Sequence, residues 1–80
     1  MTADLSTEAL TSKIIRLWSE LLGVAPEPDD NFFDLGGNSL LVVDFVLMAR
    51  EHSIDVRSID VFTHSTPIGL ATALADGGPS

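Results

Sequence analysis

The sequence predicts an all-α fold, a small four-helix bundle made of three main helices and one short helix, with a long loop between the first and second. Three observations predict it. Apolar residues at Leu10, Ile14, Leu17, Trp18 and Leu21 recur at intervals of three and four, which gathers them on one face of a helix. A second apolar run, Leu40 to Arg50, is long enough for a helix and follows a small-residue turn, Gly36-Gly37-Asn38-Ser39. No stretch alternates apolar and polar residues for long enough to build a sheet.

The first helix is expected from about Ser6 or Thr7 to Leu22, with Gly23 as its stop. Pro26 and Pro28 keep Ala25 and Glu27 out of helical geometry, so Val24 to Asp34 reads as an extended connection, pinned to the core by Phe32, Phe33 and Leu35. The second helix begins at an N-cap that is either Asn38 or Ser39. Ser53-Ile54-Asp55-Val56 ends it in short β-branched alternation, and Ser58 to Phe62 has room for only a turn or two of helix. Thr66 is the expected N-cap of the last helix and Pro67 its first residue, with Ile68, Leu70, Ala71 and Leu74 following. Gly77-Gly78-Pro79-Ser80 closes the chain, and both ends are expected to fray. Residues 1–80 therefore form one domain with an ordered core of about 6–75.

The second helix is too apolar for one core. At the helical repeat, Val42, Phe45, Val46 and Ala49 share one side, whereas Leu40, Val43 and Leu47 line the other together with Asp44. A central helix in a large protein could bury both sides, but a chain of 80 residues has too few other elements to cover them. The first set is assigned to the core and the second is left exposed beside Ser39, as a surface for a partner. Leu41 and Met48 fall between the two faces, and Trp18, Phe45 and Phe62 are assigned to the core.

Ser39 sits where a loop meets a helix start, so a phosphate ester there would face the free N–H groups of the first turn. The run Phe32-Phe33-Asp34-Leu35-Gly36-Gly37-Asn38-Ser39-Leu40 resembles the attachment motif of peptidyl carrier, or thiolation, domains within the phosphopantetheine-binding carrier protein family. The resemblance extends from Leu17-Trp18-Ser19-Glu20-Leu21-Leu22-Gly23 to Asp60-Val61-Phe62-Thr63-His64-Ser65-Thr66 and Leu70-Ala71. Two departures stand outside the motif: Ser53 where members often have Gly, and Ser65-Thr66 where they often have Pro-Thr.

That resemblance implies a carrier that catalyses nothing. A phosphopantetheinyl transferase would move 4'-phosphopantetheine from coenzyme A onto Ser39, whose arm then tethers aminoacyl or peptidyl groups as thioesters for nonribosomal peptide or related natural-product synthesis. Gly36, Gly37 and Asn38 form the attachment turn, the glycines leaving the approach to Ser39 uncrowded. Leu40, Val43, Asp44 and Leu47 are the expected docking residues. Partners would include an adenylating enzyme or domain, and condensation, tailoring or thioesterase enzymes.

Composition narrows the rest. A formal charge of −8 with only four Lys and Arg argues against nucleic acid and anionic membrane. The chain has no Cys, and His52 and His64 stand too far apart for a convincing metal set; no metal is expected. His52 is placed near the end of the second helix and His64 in a loop. Asp29, Asp30, Asp34 and Asp44 read as a solvated acidic face. No cationic leader or membrane span is apparent, which points to a cytoplasmic monomer. Beginning at Met1 and ending soon after the last helix, the chain reads as a free-standing carrier or as a domain excised from a larger synthase.

Three alternatives bear on the same residues. An acyl carrier of polyketide or fatty-acid synthesis shares the attachment serine, but the double-glycine aromatic motif and the apolar second-helix face favour the peptidyl type. A serine hydrolase using Ser39 with His52 or His64 lacks a nucleophile elbow, since Gly37-Asn38-Ser39-Leu40-Leu41 has no second glycine, and no strands stand behind it. An unmodified acidic helical adaptor would use the Leu40, Val43 and Leu47 face without an arm.

Overall fold

The computed structural model describes the backbone of residues 2–76 and the side chains of residues 7–75. Among them lie four helices and no strand: α1 (Thr2–Leu22), α2 (Ser39–Glu51), α3 (Ser58–Thr63) and α4 (Pro67–Asp76). The expected closing residues Gly77 to Ser80 lie outside the described part. α1 packs chiefly against α4 and secondly against α2, while α2 meets α3.

α1 starts earlier than the Ser6 or Thr7 predicted from the sequence. Neither Gly nor Pro interrupts the preceding residues, and a nucleated helix propagates readily through positions that do not break it. Its inner face is the predicted one, with Ile14, Leu17 and Trp18 buried and Leu10 and Leu21 packed partly against them. The helix closes where the Gly23 N–H donates to the Ser19 carbonyl at 2.9 Å, with Gly23 at a φ of 73°.

The core is aromatic at its centre. Trp18 and Phe32 meet edge to face at 4.8 Å, Trp18 and Phe45 at 5.9 Å, and all three rings are fully buried. Such pairs contribute about 0.5–1.5 kcal/mol each beyond the area they bury. Val42, Ala49, Ile54, Val56, Val61, Leu70 and Ala71 complete the core.

α2 ends in a hydrogen-bonded cap. Ser53 N–H donates to Arg50 at 3.1 Å and Ile54 N–H to Ala49 at 2.8 Å, the paired bonds that satisfy carbonyls left over at a helix end. Ser53 holds the left-handed conformation this needs, at φ 64°. Ile54 and Val56 then turn inward while Ser53 and Asp55 face solvent, as the alternation predicted. At the start of α4, Thr66 Oγ1 accepts the Gly69 N–H at 3.1 Å and Pro67 is buried, again as expected.

Two expectations need correction. The Val24–Asp34 connection is not extended along its length: Asp30 Oδ2 accepts the Glu27 N–H at 2.8 Å while the Asp30 N–H returns to the Glu27 carbonyl at 3.0 Å. Asn31 Oδ1 accepts the Phe33 N–H at 2.8 Å. Asp and Asn side chains mimic backbone acceptors in this way and curl a segment that prolines alone would leave straight. The second correction is Phe62, which is expected in the core and is instead 47% exposed. α3 has only six residues and buries Val61, and the neighbouring side chain, about 100° further round the helix, turns away.

Candidate functional site

The segment before α2 is a tight coil. Leu35 N–H donates to Asn31 at 3.1 Å, Gly36 N–H to Phe33 at 3.2 Å and Gly37 N–H to Phe32 at 3.0 Å. Gly36 adopts φ 105°, where a side chain is strained, and the space beside it is open. Gly37 is needed for a different reason from the outward clearance predicted. A Cβ placed there would run into the Phe32 ring and come within 2.7 Å of the Phe32 carbonyl oxygen. The pressure at Gly37 comes from the core beneath.

The coil is tied down at a distance. Phe32 N–H donates to the Ser65 carbonyl at 2.7 Å, and Ile68 N–H to the Pro28 carbonyl at 2.9 Å. The long loop is thus strapped to the junction between α3 and α4, with the Phe32 ring sunk between Trp18 and Phe45.

Asn38, extended at φ −151° and ψ −179°, is the N-cap of α2, and its Oδ1 accepts the Leu41 N–H at 2.9 Å. Ser39 is therefore the first helical residue and not the cap. Its side chain is exposed. Among the described residues, the N–H groups of Ser39 and Leu40 have no acceptor, whereas those of Leu41 and Val42 go to Asn38. The site is a free primary hydroxyl on the first turn of a helix, with unpaired donors beside it.

α2 divides as its spacing predicted. Val42, Phe45 and Ala49 are fully buried, with Val46, Leu41 and Met48 packed partly against them. Leu40, Val43 and Leu47 are 73%, 48% and 53% exposed, and Asp44 is exposed among them. The structure brings Gly36, Gly37, Asn38 and Ser39 together in one turn and runs the apolar strip away from it along α2.

His52 and His64 are the C-caps of α2 and α3. Among the described residues no three His, Asp or Glu gather as a metal site, and no helix is long and apolar enough to cross a membrane. Asp29, Asp34 and Asp44 are exposed, while Asp30 is partly buried in the Glu27 turn.

Sequence reasoning passes over two contributors. Asn31 anchors the coil, and its signal is an Asn two residues ahead of an amide it could accept. Phe62 stacks on Phe33 with centroids 5.4 Å apart and planes 16° from parallel. Its signal is the pairing of Ile59 with Phe62 at helical spacing in an element too short to bury both faces.

Residues 12–74 match the family described as "Phosphopantetheine attachment site". The chain is 42% identical over 72 residues to the nonribosomal peptide synthetase nanA of Aspergillus nanangensis, covering 86% of this chain and 3% of that protein. It is 41% identical over 66 residues to the nonribosomal peptide synthetase otaB of Aspergillus carbonarius, covering 79% and 4%. Chondramide synthase cmdD of Chondromyces crocatus is 39% identical over 59 residues, covering 72% and 2%. The chain thus spans a few hundredths of the length of these relatives.

Proposed function

The chain belongs to the phosphopantetheine attachment family, and we propose that Ser39 is where its arm is joined. The observation that carries this is the division of labour at the head of α2: Asn38 caps the helix, which leaves the Ser39 hydroxyl exposed and uncommitted. The residues fit the group. A phosphate ester on Ser39 would stand beside the unpaired Ser39 and Leu40 N–H groups, where partial positive charge collects. Ser39 supplies its Oγ as nucleophile: an O–P bond forms, the pyrophosphate P–O bond of coenzyme A breaks, adenosine bisphosphate leaves, and the hydroxyl proton passes to the transferase. The turn has only to present that oxygen, as an exposed loop-to-helix junction does.

When joined, 4'-phosphopantetheine supplies a thiol that holds acyl groups as thioesters. The similarity to peptide synthetases supports a peptidyl carrier in nonribosomal peptide biosynthesis; we further propose that the chain itself is non-catalytic and works in the cytoplasm. Its partners are a phosphopantetheinyl transferase, an adenylating enzyme or domain, and condensation, tailoring or thioesterase enzymes. Leu40, Val43 and Leu47 are the docking strip, with Asp44 placed to meet a basic group on the partner.

The first test is intact mass after incubation with coenzyme A and a promiscuous transferase. One phosphopantetheine should be added to the native chain and none to Ser39→Ala. Uptake by Ser39→Ala would sink the assignment. The loaded carrier is then offered to adenylating enzymes with labelled amino acids and to acyltransferases with labelled malonyl units. Aminoacyl loading is expected, and exclusive malonyl loading would replace the peptidyl assignment with the acyl one.

A further inference from the structure

Phe62 is a large aromatic side chain that the core does not claim. α3 is held to the core through Val61, which is fully buried, while Phe62 is 47% exposed. The ring contact the structure gives it is Phe33, at 5.4 Å and nearly parallel. Phe33 in turn lies edge-on to Phe32 at 5.4 Å, so an unbroken run of rings leads from the surface of α3 to Trp18 at the centre.

Phe33 is also part of the backbone that sets Ser39. Its N–H is held by Asn31 and its carbonyl accepts the Gly36 N–H. Gly36 has open space on the side where a side chain would stand, so no side chain of its own steadies the turn. Gly37 is held from below by Phe32. Leu35 packs partly against the core, and on the side facing α3 the turn is restrained by the Phe33 ring, clamped between Phe32 and Phe62.

We propose that Phe62 is a positioning residue for group transfer onto Ser39, acting through Phe33 to hold the Gly36-Gly37 turn that presents the serine hydroxyl. This rests on Ser39 being the attachment point. Small displacements of a nucleophile slow transfer steeply, and removing one half of an aromatic stack loosens its partner by an amount equivalent to about a three- to tenfold change in population.

The test compares native protein, Phe62→Ala, Phe62→Tyr and Phe62→Leu as substrates of a transferase with coenzyme A. For Phe62→Ala the expected result is a fall in kcat of about three- to tenfold with KM little changed. In the free carrier, the amide resonances of Gly36, Gly37 and Ser39 should shift or broaden. Phe62→Tyr keeps the stack and should restore both readouts. Phe33→Ala should lower kcat similarly, and the double variant should be no worse than either single change, because the two rings act as one unit. A rise in KM with kcat and the turn amides unmoved would overturn the proposal and make Phe62 a docking contact. Unchanged kinetics would overturn it too. Should Phe62→Ala fail to fold, Phe62→Leu decides, since it keeps apolar volume without the stack: native kcat in that variant refutes the positioning role. Loading of Ser39→Ala, in contrast, would refute the attachment site and leave the ring coupling to be read from the amide shifts alone.

Discussion

Ser39 and Gly37 stand two positions apart and answer to opposite surroundings. Ser39 faces solvent with no structural duty, because the capping energy of about 0.5–2 kcal/mol belongs to Asn38. Ser39→Ala therefore removes the hydroxyl without removing the cap. Gly37 presses on Phe32, so Gly37→Ala forces either the ring or the turn to shift. It should lower unfolding free energy by about 1–3 kcal/mol and slow arm attachment as well. The first is measurable by urea titration followed through the fluorescence of Trp18, the chain's one tryptophan. Stability equal to native would mean that the turn gives way freely. Ser53 shows the reverse case, a side chain at φ 64° where glycine is relaxed. Ser53→Gly should stabilise by about 0.5–1 kcal/mol, the relief of left-handed strain less the added unfolded-state entropy. A higher urea midpoint with unchanged slope is the expected signature.

At the scale of elements, α2 presents two faces, one buried and one exposed. Phe45 is fully buried against Trp18 and Phe32, and Phe45→Ala should cost about 3–5 kcal/mol through lost burial and a cavity. Leu47 is 53% exposed, and Leu47→Asp should leave the melting temperature within a few degrees of native (about 0.5 kcal/mol). It should nonetheless weaken aminoacyl loading, because an apolar contact is lost and a like charge joins an acidic surface. Thermal melts and loading rates on both variants separate the faces. Comparable melting losses from the two would show that the outer face is structural. α3 has a different character: with one buried residue it is a light element, kept in place by Val61 and by its stack on Phe33, its first turn closed by the Arg57 N–H donating to Asp60 Oδ2 at 3.0 Å.

The molecule as a whole is a small acidic body with an apolar strip along α2. Its radius of gyration of 11.3 Å is close to the roughly 11.6 Å expected for a domain of this length. A net charge of −8 repels nucleic acid and anionic lipid at long range. The proposed docking through the exposed Leu40, Val43 and Leu47 would work at short range. Affinity for an adenylating partner should then change by less than about threefold between low and moderate salt, since apolar contact is not screened. Capture through the acidic surface would instead fall by about tenfold or more over the same range. Binding isotherms at several ionic strengths distinguish the two, and a steep slope would move the docking site from the strip to the acids.

Local rules acting along the chain determined much of this. The spacing of Leu10 to Leu21 fixes the inner face of α1, Thr66-Pro67 starts α4, and the two-sided pattern of α2 predicts that Leu40, Val43 and Leu47 are exposed. These depend on helical repeat and on backbone groups a few residues away, so they can be read in one dimension. The motif from Phe32 to Leu40 singles out Ser39 as the proposed attachment point for the same reason, being contiguous. What only the tertiary structure decided involves residues far apart in the chain. Phe32 reaches the Ser65 carbonyl, Phe33 lies on Phe62, and Ile68 is bonded to Pro28. Those contacts strap the loop to the junction between α3 and α4 and set the Phe32 ring under Gly37, while the curl itself comes from the neighbouring Asp30 and Asn31 side chains. They also leave Phe62 at the surface, because a short helix can bury one side chain while only the packed neighbours determine where the next one rests.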